Sequence, residues 1–247
     1  MSNKVIDPRA AERRRSLLLM IGAALAVVII AAGVIFWAIK DKKDSPAAAK
    51  LPAGTAQPTV LTGEAFRLTA APKGTTPKAV VTLIEDFQCP ACDAFEKQFG
   101  PTLEKLQSNP DVAFDYTPIS FLDGSSSTFY SSRAANASVC VAEATGKDGN
   151  FDIWYKFHNE LYNNQPPEGG DGLPDSDLIT MAKDAGAGDL TKCITGGDYG
   201  NWVRDHTKRV KFQSTPTVRI NGQDVDLQTI ATPADLENKI LAAAGQK

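Results

Sequence analysis

Histidine is close to absent from the chain: His158 and His206 are the only two in 247 residues, and each reads as an ordinary helix or surface residue. Cysteine is scarce as well, with four in total. A four-cysteine zinc site would need two close pairs, but only Cys89 and Cys92 are close, while Cys140 and Cys193 are far apart in the chain. An excess of positive charge is missing too. Residues 1–39 hold five basic and two acidic side chains, which leaves 21 basic against 27 acidic in the rest, a net of −6. Such a domain has no general electrostatic reason to bind nucleic acid. No internal repeat is visible.

One long apolar run is present. Residues 17–39, LLLMIGAALAVVIIAAGVIFWAI, carry no charge over 23 positions, enough for a helix to cross a hydrocarbon layer of roughly 30 Å. A cleaved secretory signal is the competing reading, but its apolar region is about 7–15 residues long and ends at small residues, whereas Phe36, Trp37 and Ile39 stand at the far end here. Arg13, Arg14 and Arg15 precede the run, and the lysines after it alternate with aspartates, so residues 1–16 are expected in the cytoplasm and the bulk of the chain outside. The expected location is the cell membrane, with a single pass over 17–39. Residues 40–63 mix Pro, Ala, Gly and Lys without an apolar period and read as a linker.

Beyond it, Ala65–Thr69 reads as a weak strand and AVVTLIEDF (79–87) as a buried one. A helix follows from Pro90 to near Asn109, and DVAFDYTPIS (111–120) alternates as a further strand. Residues 121–210 are helical in pattern, as four short helices parted by Gly- and Pro-rich breaks. TPTVRI, an Asn221-Gly222 hairpin turn and QDVDL return to strands, and a last helix opens at Thr232-Pro233 with Asp235 at the capping-box position. In that helix, Leu236, Ile240 and Leu241 are expected to face inward. Trp154, Tyr155, Phe157 and Tyr162 fall at helical spacing, as core or as the lining of a groove.

Cys89-Pro90-Ala91-Cys92 stands where strand passes into helix. Unpaired N–H groups and the positive end of the helix dipole favour a thiolate at Cys89. Free cysteine titrates near 8.5 and helix-terminal pairs fall to about 3.5–7.5, each unit raising the reduction potential by roughly 30 mV. Cys92, one turn inside, would resolve a mixed disulfide. A structural staple is the bland alternative, although closing so small a loop constrains little entropy. Outside the cytoplasm Cys140 and Cys193 are expected to form a second, structural bridge, the alternative being two unrelated buried thiols. Pro216 opens a strand and so reads as an edge or turn proline, or as a cis one.

Strand, CPAC, helix, strand, helical insertion, TPTVRING and a terminal helix, in that order, resemble the DsbA-like branch of the thioredoxin superfamily, particularly the membrane-anchored disulfide oxidoreductases of actinobacteria. SSRAANASVCVAEATGK and FDIWYKFHNELYNNQ resemble that family's helical insertion. The resemblance implies an α/β thioredoxin fold (64–120 and 211–247) interrupted by a helical domain (121–210) and preceded by one transmembrane helix. It implies Cys89 as the attacking sulfur, Cys92 as the resolving one, and a cis Pro216 beside them. Thr215 would pair with extended substrate, next to Pro90 and Ala91. Implied partners are reduced or unfolded secreted proteins and a reoxidising membrane protein related to vitamin K epoxide reductase; no cofactor or metal is assigned. Leu83 occupies the place where many members carry a buried carboxylate, and Glu85, on the same strand face, is the candidate substitute. The alternative leaves Glu85 and Asp86 at an exposed strand end. Pro90-Ala91 lacks the histidine of strongly oxidising relatives, so a reductase or isomerase, and a non-catalytic module that docks extended chains, remain alternatives.

Overall fold

The computed structural model describes residues 50–246. The expected cytoplasmic segment, the apolar run at 17–39 and the first part of the linker lie outside the described residues. Among the described residues no helix is long and apolar enough to cross a membrane.

Five strands form one sheet: β1 (Phe66–Thr69), β2 (Ala79–Glu85), β3 (Val112–Pro118), β4 (Thr217–Ile220) and β5 (Gln223–Asp224). Their order is β1-β3-β2-β4-β5, with β2 and β3 parallel and the other pairs antiparallel. The parallel pair requires a crossover, supplied by helix α1 (Pro90–Gln107). Register aligns Phe66 with Tyr116, Leu83 with Tyr116 and Val218, and Val81 with Phe114 and Ile220. These residues therefore share one face, and all of them are buried. Glu85 falls on that same core face.

Between β3 and β4 the chain forms α2 (Tyr130–Thr145), α3 (Asp152–Asn163), α4 (Asp175–Ala185), α5 (Thr191–Gly196) and α6 (Gly200–Arg209). Where the pattern read four helices, the stretch after Leu190 breaks in two at Gly197, whose φ of +63° ends α5 in the left-handed region. The insertion shares one core with the sheet: Trp154 of α3 packs 5.2 Å from Phe66 and 5.3 Å from Tyr116, measured between ring centroids. Trp154, Tyr155, Phe157 and Tyr162 are all buried, as core.

The hairpin turns at Asn221 and Gly222, both at positive φ. The Asn221 side chain accepts from Val80 N–H at 2.8 Å and so pins the tip to β2. QDVDL extends as strand only over Gln223–Asp224, because Asp226 instead caps a 3₁₀ turn at Leu227–Thr229. Thr232 and Asp235 form a capping box on α7 (Pro233–Ala243), where Leu236 and Ile240 are buried and Leu241 is only partly so.

Residues 50–63, which composition reads as linker, are packed from Pro52 onward. Gly54 N–H donates to Gly197 O at 2.9 Å, Ala56 N–H to Asp198 O at 3.0 Å, and Asn201 N–H to Gly54 O at 3.0 Å. A Cβ on Gly54 would meet the Asp198 backbone at 2.3 Å, and one on Gly200 would meet Pro52 at the same distance. Main-chain pairing at such close range leaves no mark in composition.

The turn that receives this strap is held to α2. Cys140 and Cys193 form a disulfide with Cα atoms 6.1 Å apart across 53 residues, and Asn136 accepts from Tyr199 N–H at 2.9 Å. Closing a loop of that length constrains the unfolded chain by roughly 4 kcal/mol. Replacing both cysteines by serine is expected to lower stability by about that amount in denaturant titrations, while thiol exchange at Cys89 persists.

Candidate active site

Cys89 is the N-cap residue of α1, with Pro90 in its first turn. Its carbonyl accepts from Cys92 N–H at 3.0 Å and Asp93 N–H at 3.1 Å, which starts the helix. Both thiols are free, but they differ in access: Cys89 keeps 6% exposure and Cys92 none. Only Cys89 can meet an incoming sulfur. Pro90 and Ala91 are exposed beside it.

The thiol of Cys89 is made acidic, its pKa lowered to about 6. The largest cause is a hydrogen bond from the Cys92 thiol; burial opposes it, and Thr215 and the N–H groups of Cys92 and Ala91 add to the lowering. The protonated sulfur donates to the Thr215 carbonyl at 3.4 Å, a bond that favours the thiol; the Thr215 hydroxyl favours the thiolate. Cys92 moves the opposite way, pushed well above its ordinary value by burial, by its bond to Cys89 and by the charge of Glu85. The two sulfurs thus divide into a ready nucleophile and a reserve.

The Thr215-Pro216 bond is cis, and both residues are half-buried. They line a groove of about 560 Å³ running from Lys211 to Arg219 and on to Gln228. Gln165, which nothing in the sequence singled out, clamps the CPAC turn from the insertion: its amide donates to Phe87 O at 3.1 Å and to Cys89 O at 3.0 Å.

Glu85 and Asp86 are buried, not exposed at a strand end. Asp86 is structural: it accepts from Gln88 N–H, Leu122 N–H and the Ser131 hydroxyl at 2.6–2.9 Å, and burial lifts its pKa to about 6. Glu85 is lifted further, to about 8, first by burial, with a bond from Glu96 opposing and the Cys89 charge adding. Glu96 of α1 is pushed well above its usual range, again by burial first. His158, expected as an ordinary helix residue, is fully buried with Nε2 3.3 Å from Glu85 Oε2. His206, also buried, stacks on Trp202 and pairs with Glu64 at 2.9 Å, away from the thiols.

Glu85, Glu96 and His158 bring three potential metal-ligand atoms within 4.8 Å of one another. With both carboxyls favoured as neutral acids and the imidazole favoured as neutral, the cluster suits proton sharing. Cys140 and Cys193, being bridged, cannot join Cys89 and Cys92 in a four-cysteine site.

Two measurements check this electrostatic arrangement. The ultraviolet thiolate absorbance of reduced protein is expected to titrate with a midpoint near 6, and to vanish from that range in Cys89→Ser. Because folding raises the Glu85 pKa from 4.5 to about 8, the folded state binds that proton more tightly, and stability falls as pH climbs through this window. Glu85→Gln is therefore expected to gain about 3 kcal/mol on the parent protein between pH 5 and pH 8 in denaturant titrations.

The family described as Thioredoxin matches residues 75–238. Two solved structures from Mycobacterium tuberculosis are similar. Reduced DsbA is 40% identical, with 74% of this chain and 94% of that chain covered and a TM-score of 0.65. DsbG, also reduced, is 41% identical, with 74% and 89% covered and a TM-score of 0.66. MdbA of Corynebacterium matruchotii, a thiol-disulfide oxidoreductase, is 25% identical over 77% of this chain and 94% of its own, with a TM-score of 0.56. No curated protein sequence matches. A thioredoxin-family match across most of the chain, together with two close DsbA and DsbG structures, shows that the chain belongs to the thioredoxin family, among the DsbA-like thiol-disulfide oxidoreductases.

Proposed function

We propose that the protein acts outside the cytoplasm, held to the membrane by residues 17–39, and oxidises cysteine pairs in secreted proteins through Cys89 and Cys92. The observation that carries the reading is the asymmetry of the two sulfurs: an accessible acidic one at the mouth of α1, and a buried one behind it that holds its proton. A Cys89 pKa lowered from 9.0 to about 6 stabilises the reduced thiolate. That shift makes the pair more oxidising by roughly 90 mV than an unshifted one, provided it is absent from the disulfide.

A substrate thiolate attacks Cys89 Sγ, the Cys89–Cys92 bond breaks, and its electron pair goes to Cys92 Sγ, which takes a proton. A second substrate thiolate then attacks the substrate sulfur of the mixed disulfide and releases Cys89 as thiolate. Glu85, protonated at neutral pH, is the acid that supplies Cys92, and it serves as base in the reverse direction. Thr215, beside Cys89, offers its backbone to an extended substrate segment, with the groove from Lys211 to Gln228 alongside. Such main-chain pairing suits reduced or unfolded secreted chains. A membrane oxidase related to vitamin K epoxide reductase would return the pair to the disulfide.

Oxidised protein mixed with a reduced, unfolded substrate is expected to form substrate disulfides stoichiometrically. Cys89→Ser should abolish this, and Cys92→Ser, given the disulfide-bonded form of the substrate instead, should accumulate the mixed disulfide through Cys89. Faster reduction of insulin disulfides than oxidation of reduced substrate would favour a reductase instead. Full biological activity in Cys89→Ser would favour a non-catalytic chain-binding module.

A further inference from the structure

A carboxyl buried on the core face of a sheet can give up its proton once, but a turnover enzyme must refill it. Glu85 has almost no surface of its own to do so: it is 3% exposed, between α1 and α3. The groups around it define where a proton can go. Cys89 and Cys92 lie on the thiol side, with Glu96 of the same helix; His158 and Tyr162 face it from α3 and Tyr116 from β3, while Tyr155 of α3 faces Glu96. Burial keeps all three tyrosines protonated, so the thiols, two carboxyls and one imidazole are the groups that titrate.

Their hydrogen bonds have a direction. His158 Nδ1 lies 3.2 Å from Asn159 Oδ1, a pairing that requires a proton on Nδ1 and leaves Nε2 of the neutral ring as an acceptor. Glu85 Oε2, 3.3 Å from Nε2, then carries the proton of that bond. Oε1 of Glu85 and Oε1 of Glu96 are both buried and have no other partner. The two carboxyls bring oxygens within 4.8 Å of each other, and a proton on Glu96 turns it into a donor to Glu85. The order is Glu96 to Glu85 to His158 to Asn159. Both ends of this chain, Glu96 and Asn159, line a cleft of about 280 Å³ between α1 and α3, with Lys97 and Glu104 on the same lining.

We propose that Glu96 carries protons between the Glu85 carboxyl and the water of this cleft, so that each proton Cys92 gains when the disulfide opens is replaced from outside the core. The inference rests on Cys92 as the leaving and resolving sulfur, the reading proposed above. In balance, disulfide opening places one electron pair and one proton on Cys92; Glu85 loses that proton, takes one from Glu96, and Glu96 takes one from cleft water. Resolution by Cys92 runs the same relay outward. His158 is a positioning residue: its acceptor nitrogen orients the Glu85 carboxyl while Asn159 fixes the ring.

Glu96→Gln keeps a donor for Glu85 but cannot pass a proton on. On transfer of oxidised protein to deuterated buffer, the infrared carbonyl band of the protonated carboxyls is expected to shift within the mixing time in the parent protein. In Glu96→Gln the remaining band should shift more slowly by about tenfold or more, and Glu96→Asp should restore fast exchange. The rate of disulfide opening by a dithiol peptide, followed against pH over successive turnovers, should fall in parallel, while the equilibrium constant with the peptide stays within about twofold. Superposition of the Glu96→Gln exchange and pH–rate curves on those of the parent would overturn the relay. Absence of a protonated-carboxyl band at pH 7 in the unaltered protein would do the same, whatever the variants' stability. Failure of the parent to exchange thiols with the peptide would instead sink the oxidoreductase reading, and the infrared comparison would still judge the relay.

Discussion

One hydrogen bond between two thiols organises the site. Cys92 donates to Cys89, and that bond is the largest cause of the acidity of one sulfur and among the causes of the reluctance of the other. The bond exists because Cys89 is the N-cap of a helix whose first turn begins with proline and whose third residue, Cys92, is fully buried. The helix opening was expected to act mainly through its dipole and free N–H groups. In the structure those N–H groups contribute, but less than the neighbouring thiol.

Beneath the sulfurs, the sheet presents a face that is apolar from Phe66 to Ile220 and carboxylic at Glu85. A buried carboxyl in such a setting is destabilising when ionised, so its presence at the end of β2 is a cost set against chemistry. His158 limits that cost by accepting from the neutral carboxyl, while the bond from Glu96 favours the ionised form that Glu85 takes when it gives up its proton.

Much of this was legible in the sequence because it is written locally. The β-branched run 79–87, Pro90, the Asn221-Gly222 turn and the Thr232–Asp235 box each specify their own geometry within a few residues, and the structure has all four elements. Period-two alternation also put Glu85 on the face of Leu83. What escaped depends on contacts between distant segments. His158 reads as a polar residue on an amphipathic helix, and only the packing of α3 on the sheet turns it toward β2. Glu96, seven positions after Cys89 in a helix with many charges, carries no local sign of burial. Gln165 lies in a Pro- and Gly-rich break whose composition says only that a helix has ended. The strap from Pro52 to Ala56 escaped for the same reason, since its partners are backbone atoms of Gly197 and Asp198.

That strap also has a mechanical meaning. Tension applied to the chain ahead of Pro52 is received by the turn at Gly197 and Asp198, then passed by the sulfur crosslink from α5 to α2. The strap thus ties the segment ahead of the sheet to the helical insertion, at the crosslinked turn.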